Sequence, residues 1–154
     1  ELIDHAGVDG CGAPVFATTI SGLARGVARV TESVTTSADT DAAHLVTAVF
    51  DDPWALDGDG RANTVTIQTL GVLAKLGAEG VLVIGTPDGV AVAVKVLDGN
   101  LRAGTLVALR LLADEGAVDP ALAQTVVDRT LERVLGGGSP VGLIRLGAGL
   151  TSAA

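Results

Sequence analysis

The two lysines of this 154-residue chain are its first candidates for chemistry, because both lie beside apolar, strand-like runs. Strand periodicity around Lys95 separates four valines from a face that carries Ala91, Ala93 and Lys95. A lysine on such a face either projects into a cleft, where it carries a proton or anchors a carboxylate, or extends from an edge strand to water. Both interpretations stay open for Lys95 and for Lys75. For Lys75 the simpler explanation is that it lies at a strand end.

A glycine-rich segment near the start of the chain holds the second group of reactive residues. Asp9 and Cys11, the only cysteine, lie two residues apart, and His5 precedes them. All three are metal-ligand types, but zinc sites use three or four protein ligands at spacings that one short loop rarely provides. The segment therefore fits a partial zinc site and a tight turn with a buried free cysteine equally well.

No complete serine–lysine nucleophilic site is present in the sequence. Acyl transfer from an amide needs an activated nucleophile, and a common arrangement is a serine with a lysine three residues later on one helix face. The residues three before the lysines are Val72 and Val92, and no serine is followed by a lysine at that spacing. If the chain takes part in such chemistry, we expect the nucleophile to lie outside these 154 residues.

Strand and helix signals predict the elements that position these residues. Two β-rich runs, 81–84 and 90–96, flank the turn-forming Pro87-Asp88-Gly89 and predict a β-hairpin that carries Lys95. Capping residues and helical spacing predict helices over 21–32, 39–50, 101–114 and 119–134.

The remaining segments complete the predicted fold. Residues 64–70 fit a helix or a strand, 33–37 a polar linker, 136–140 a loop and 141–146 a final strand. Helices between a hairpin and a last strand predict an α/β fold with a mixed, largely antiparallel sheet covered by helices.

Composition limits the domain count and the class of partner. Residues 1–154, with 48% hydrophobic and 18% charged residues, are enough for a single domain or for half of a larger one. The net charge of −8 argues against binding to nucleic acid or to an anionic membrane, and no apolar run has the roughly 20 residues of a membrane span. A lone cysteine favours a reducing, cytoplasmic setting. Since the chain starts at Glu1 and contains no Met, we expect further polypeptide upstream.

Five motifs resemble those of bacterial asparaginase II proteins and occur in the same order. They are GVDGCGAP at 7–14, GDGR at 58–61, KLGAEGV at 75–81, VKVLDG at 94–99 and LGGG at 135–138. The resemblance covers about residues 8–146, and the ordered set is more specific than any member. It implies the C-terminal half of an enzyme with a β-lactamase/glutaminase-like architecture that hydrolyses L-asparagine to L-aspartate and ammonia.

The resemblance also implies roles for individual residues. Lys95 matches a lysine that the C-terminal half brings to the catalytic cleft, while the serine nucleophile and its lysine belong to the N-terminal half. Cys11 matches a zinc ligand of the family. Asp9 lies in the same loop as Cys11 and is expected on the substrate side. Gly60 and Arg61 match a further loop on the substrate side.

Two positions depart from the family's pattern. Asp59 replaces the usual threonine between the glycines of the substrate-side loop, and Asn63 replaces the usual aspartate before Thr64. These departures leave the preference for asparagine over glutamine open.

A non-catalytic role is the alternative. The missing Ser-x-x-Lys pair favours an amino-acid-binding module or a subunit that completes a partner's sheet, whereas the presence of Lys95 and Cys11 favours the enzyme. In both cases an exposed sheet edge and a divided site favour homo-oligomers.

Overall fold

In the computed structural model, which describes residues 5–151, an antiparallel sheet of three strands is covered by helices on both faces. The strands of the described residues are Ala6–Val8 (β1), Pro14–Phe16 (β2), Leu73–Gly77 (β3), Val81–Gly85 (β4), Ala91–Lys95 (β5), Val134–Gly136 (β6) and Ser139–Gly142 (β7). The helices are Ile20–Thr36 (α1), Thr40–Asp51 (α2), Trp54–Asp57 (α3), Ala62–Leu70 (α4), Gly104–Asp114 (α5), Pro120–Thr130 (α6) and Ala148–Thr151 (α7), and a 3-10 turn, Leu101–Ala103, precedes α5. The predicted α/β class with an antiparallel, helix-covered sheet is confirmed.

The central sheet has the order β3-β4-β5, and its hairpin is the predicted one. Val81 lies opposite Lys95 and Gly85 opposite Ala91, so the alternation inferred for β5 is preserved. Gly85 faces α1 so closely that a Cβ there would lie 2.8 Å from Val27 Cγ1. Helix α1 therefore covers the face to which Gly85 belongs. Ala91, which lies opposite Gly85, belongs to the same face, and so does Lys95, because alternate residues of β5 point the same way.

The opposite face of the sheet forms the core. Ala74, Leu82 and Ile84 are at most 2% exposed and belong to one cluster with apolar residues of the helices behind them. Burying each leucine or isoleucine contributes about 1.5–3 kcal/mol, which is the main force holding the helices to the sheet. The helical members of this cluster come from α2, α4, α5 and α6: Val49, Val65, Ile67, Ala108, Leu109, Leu112, Ala123, Val126 and Val127.

Helix α1 begins and ends outside the predicted limits. Its N-cap is Thr19 rather than Ser21, since the Thr19 hydroxyl accepts a hydrogen bond from Gly22 N at 2.9 Å. The predicted linker at 33–37 is wrong, because the helix continues to Thr36. There the hydroxyls that suggested a linker donate back along the helix, as in Ser33 Oγ to Arg29 O at 3.0 Å.

The undecided segment 64–70 is helical, within α4. The Thr66 hydroxyl donates to Ala62 O at 2.7 Å, so this β-branched residue is accommodated in the helix. Gly71, with φ +63, ends the helix in the left-handed conformation that glycine adopts without strain.

The predicted final strand at 141–146 is shorter and lies two residues earlier, as β7, so only 141 and 142 of the predicted range are in a strand. β7 pairs with β6 in a short hairpin, with Gly136 opposite Ser139. Gly137 and Gly138 form its turn with φ values of +57 and +83, and positive φ at both turn residues is what a tight hairpin of this kind requires. Helix α6 consequently ends at Thr130, short of the predicted 134.

None of the helices within 5–151 combines the length and the apolar character that crossing a bilayer requires.

Candidate functional site

The two lysines project from one face of the central sheet. Lys75 in β3 lies opposite Val83, and Lys95 in β5 lies opposite Val81, on the two sides of β4. Val81 and Val83 are two residues apart on one strand, so their side chains and those of both lysines share a face. We call this surface, which carries Lys75, Lys95 and the covering helix α1, the lysine face.

Lys95 lies at the end of the lysine face that borders the turn between β3 and β4. Its side chain is exposed, and its ammonium donates a hydrogen bond to the carbonyl oxygen of Glu79. Glu79 and Gly80 form this turn with φ values of +58 and +73. The turn therefore fixes the acceptor that orients the Lys95 ammonium.

Lys75 lies inside β3 rather than at a strand end. It lines a cavity of about 540 Å³ between α1, α2 and β3, and among the described residues that line this cavity it is the only charged one. Phe16, from the second strand of the N-terminal hairpin, lines the same cavity. The cavity therefore joins the base of that hairpin to the lysine face. Its other lining residues are Thr18, Gly22, Leu23, Gly26, Val27, Val30, Leu45, Val49, Leu56 and Leu73.

Asp9 organises the loop of the hairpin β1–β2. Its Oδ1 accepts hydrogen bonds from Cys11 N, Cys11 Sγ and Ala13 N, each at 3.0 Å. The Cys11 thiol, followed by the backbone N–H groups of Ala13 and Cys11, holds the pKa of the Asp9 carboxyl below its usual value, so the group is charged at neutral pH. Cys11 is exposed, which excludes the buried cysteine of the tight-turn interpretation.

The Asp9–Cys11 pair combines two donor types that zinc binds in proteins. Sulfur and oxygen ligands of one tetrahedral zinc lie about 3.5 Å apart, close to the 3.0 Å between Cys11 Sγ and Asp9 Oδ1. Within residues 5–151, however, no three His, Cys, Asp or Glu side chains group together as a site. These two donors would need further ligands to hold a zinc ion, and none of the described residues groups with them as a third.

Gly60 and Arg61 lie at the start of α4, in a loop that Asp57 holds together. Arg61 Nε lies 3.7 Å from Asp57 Oδ1, and Asn63 N donates to Asp57 Oδ2 at 3.1 Å. The loop borders a cavity of about 440 Å³ that Leu82 also lines. Leu82 alternates with Val81 and Val83, so this cavity lies on the sheet face opposite the lysine face.

The described residues thus bring together some of the expected site residues and not others. Lys75 and Lys95 share a face, whereas Asp9 and Cys11 lie in the exposed loop of a hairpin of which Phe16 lines the cavity beside Lys75. Arg61 lies on the other side of the sheet. The common face of the lysines could have been found by pairing 73–77 with 81–85 across the turn at 78–80. No sequence motif indicated the cavity beside Arg61, because its lining residues come from separate segments of the chain.

A comparison with protein-family models supplies the relationship that the geometry leaves open. The model described as L-asparaginase II matches residues 2–146. The comparison with curated proteins finds no match. Because the family match covers nearly all of the 154 residues, the chain belongs to the L-asparaginase II family.

Proposed function

We propose that this chain is part of an amidohydrolase that converts L-asparagine to L-aspartate and ammonia. The family match over residues 2–146 is the observation that carries this proposal. A face with two lysines beside a cavity is consistent with a site for a substrate that has carboxylate and amide groups. The protein acts in the cytoplasm, as a homo-oligomer in this proposal.

The proposed reaction is acyl transfer through a serine. The serine oxygen attacks the side-chain amide carbon of asparagine, its proton passes by way of a base to the leaving nitrogen, and ammonia departs. Water then hydrolyses the ester and releases aspartate and the free serine. Lys95 is the proposed proton carrier of the cleft, and Lys75 is the second candidate because it shares the lysine face.

The nucleophile is proposed to lie on polypeptide outside residues 1–154, in an N-terminal half of the same fold. No serine of this sequence is followed by a lysine three residues later. Gly60, Arg61 and Asp9 are proposed as substrate-side residues from the family resemblance alone, since Gly60 and Arg61 border the cavity on the sheet face opposite Lys95.

Ammonia release is the test of this proposal. We expect no release from L-asparagine by the 154-residue chain alone, and release when the chain is joined to, or mixed with, a family N-terminal half that contains Ser-x-x-Lys. L-Glutamine in parallel measures the side-chain preference. Mutating the serine of that half to alanine is the control and should abolish release. Absence of release from every combination would contradict the proposal.

The alternative is a binding module. It would be favoured by saturable binding of L-asparagine to the chain alone, measured by calorimetry, without ammonia release in any combination. The serine control separates this outcome from slow hydrolysis.

Zinc is the proposed metal of the site, with Cys11 as a ligand and Asp9 beside it. When bound, zinc would polarise a substrate group or fix the shape of the pocket. The charged Asp9 carboxylate accepts a hydrogen bond from the Cys11 thiol at 3.0 Å, so the two donor atoms lie close together.

Loss of one zinc ligand should weaken zinc binding. We expect Cys11→Ser in the assembled protein to reduce zinc affinity at least about tenfold, because the hydroxyl is a poorer zinc donor than thiolate. Metal analysis after dialysis and competition with a chromophoric chelator measures this. Ser37→Ala, at an exposed serine distant in sequence, is the control. Folded wild-type protein that contains no zinc would contradict the proposal.

A further inference from the structure

The cavity between α1, α2 and β3 is bordered by large apolar side chains that lie at the protein surface. Phe16 and Leu45 line it and are 55% and 58% exposed. Its volume of about 540 Å³ is room for several side chains of another segment. Exposed apolar patches of this kind generally mark sites of interaction with another protein surface. An apolar segment is therefore the expected occupant of this cavity.

The N-terminal hairpin extends this apolar surface beyond the cavity. Ala6 lies opposite Phe16, and Val8 lies opposite Pro14, so these four side chains share one face of the hairpin. All four are apolar and exposed. Phe16, at the base of the hairpin, also lines the cavity. We call this face of the hairpin, together with the cavity, the apolar strip.

Two glycines of α1 leave the backbone of that helix open to the cavity. Gly22 and Gly26 lie on one face of α1 because they are four residues apart, and both line the cavity. Nothing lies within 4 Å of the position that a Cβ would take at Gly26. Glycine inside a helix is destabilising, so a pair on one face indicates close approach by a neighbouring segment. The space above these glycines is therefore suited to a packed segment of a partner.

The position of residue 5 favours one partner. His5 O accepts a hydrogen bond from Ala17 N at 3.0 Å, so His5 lies beside the strand end that carries Phe16. Polypeptide that precedes His5 therefore reaches the fold next to the mouth of the cavity. An N-terminal half joined at this point would be held beside the apolar strip at a high effective concentration, whereas an independent protein would have to bind from solution.

Charge argues against a second copy of the chain at the apolar strip. Each copy carries a formal net charge of −8, and docking two copies through an apolar surface would bring these charges together. The one charged residue among the described residues of the cavity lining, Lys75, is positive, so it gives a second copy no opposite charge to pair with. A partner of different sequence has neither constraint.

We propose that the N-terminal half of the protein docks on the apolar strip and fills the cavity between α1, α2 and β3 with apolar side chains. This inference rests on the proposed function, from which it takes the existence of that half. It adds the surface of this chain that the half covers. Docking there places the half next to Lys75, so the lysine face borders the junction between the halves, and ligand sites occur preferentially at such junctions.

Thiol labelling tests the docking without relying on activity. Leu45→Cys places a thiol at the border of the cavity. We expect a maleimide to label it at least about 100-fold more slowly in protein joined to a family N-terminal half than in the full chain alone, because labelling then requires local opening. Peptide mass spectrometry separates this thiol from Cys11. Leu122→Cys is the matched control, since Leu122 is 44% exposed on α6 outside the strip, and its labelling rate should be the same in both proteins.

A second variant tests the same surface with the two halves supplied as separate chains. Leu45→Asp should weaken their association at least about 100-fold, because docking would bury an unpaired carboxylate. Leu45 is largely exposed in this chain, so the substitution should leave its own fold intact, as circular dichroism checks. Leu122→Asp adds the same charge outside the strip and should associate as the wild type does.

Three results would overturn the inference. Equal labelling of Leu45→Cys in the chain alone and in the joined protein would show that the N-terminal half leaves the strip uncovered. Protection in the chain alone that rises with its concentration would show that a second copy occupies the strip. Equal loss of association in Leu45→Asp and Leu122→Asp would show an effect of overall charge.

Ammonia release from L-asparagine by the same joined protein separates this inference from the proposed function. Release without protection of Leu45→Cys would contradict the docking and leave the hydrolase in place. Protection without release would support the docking and contradict the hydrolase.

Discussion

Lys95→Ala should lower the turnover of L-asparagine by the assembled enzyme at least about 100-fold, the range expected when a general acid or base is removed. The side chain is exposed, and its described contact is to the Glu79 carbonyl, so no packed apolar group is lost. We therefore expect the free energy of unfolding to change by less than about 0.5 kcal/mol. Ammonia release measures the first effect and urea unfolding the second.

Two further variants test whether the loss of turnover is specific to proton transfer by Lys95. Lys95→Arg keeps the charge but cannot give up its proton near neutral pH, so it should be as inactive as Lys95→Ala if Lys95 carries a proton. Arg133→Ala, which removes an exposed cation elsewhere, should retain activity. Wild-type turnover by Lys95→Ala would refute the assignment. If Lys75→Ala alone were inactive, the role would belong to the other lysine of the face.

Gly80→Ala should destabilise the fold by about 3 kcal/mol or more, which combines backbone strain with overpacking. Gly80 has φ +73, and a Cβ there would lie 2.8 Å from Val96 O and 2.9 Å from the Cα and carbonyl carbon of Gly99. These are backbone atoms that cannot rotate away. The same turn accepts the hydrogen bond from Val96 N to Gly80 O at 2.8 Å, so a shift would open the end of the sheet beside Lys95. Urea unfolding of the variant measures the loss.

Gly116→Ala is the matched control. Gly116 has a similar φ of +69, but nothing lies within 4 Å of the position of its Cβ. Its substitution should cost only the left-handed backbone conformation, about 1 kcal/mol. Equal destabilisation by the two variants would show that the contacts with Val96 and Gly99 contribute nothing.

Local signals were sufficient where the interaction itself is local. The helices predicted to start at 39 and at 119 do begin there, with Asp39 and Asp119 as caps that accept hydrogen bonds from the backbone N–H groups that follow. The hairpin that carries Lys95 followed from two β-rich runs around a turn. The faces of β5 followed from the same alternation.

Local signals failed where one residue type serves two purposes. The polar stretch at 33–37 had the composition of a linker, but Ser33 is buried and its hydroxyl bonds to the helix backbone. The glycines at 136–138 indicated a loop before a strand, and Gly137 and Gly138 do form a turn before β7, but their composition did not show that β6 precedes this turn and pairs with β7. In both cases packing and pairing decided between conformations that the composition allowed equally.

The amino-acid sequence was enough to predict the α/β class, the hairpin, Lys95 as a candidate catalytic residue and, through its ordered motifs, the family relationship. The fold was needed to show that Lys75 and Lys95 share a face, because that depends on the register of three strands. It alone gathered Phe16, Leu45 and Lys75 around one cavity. These residues are far apart along the chain, and their proximity arises from helix packing over a buried core, which no spacing within a single segment encodes.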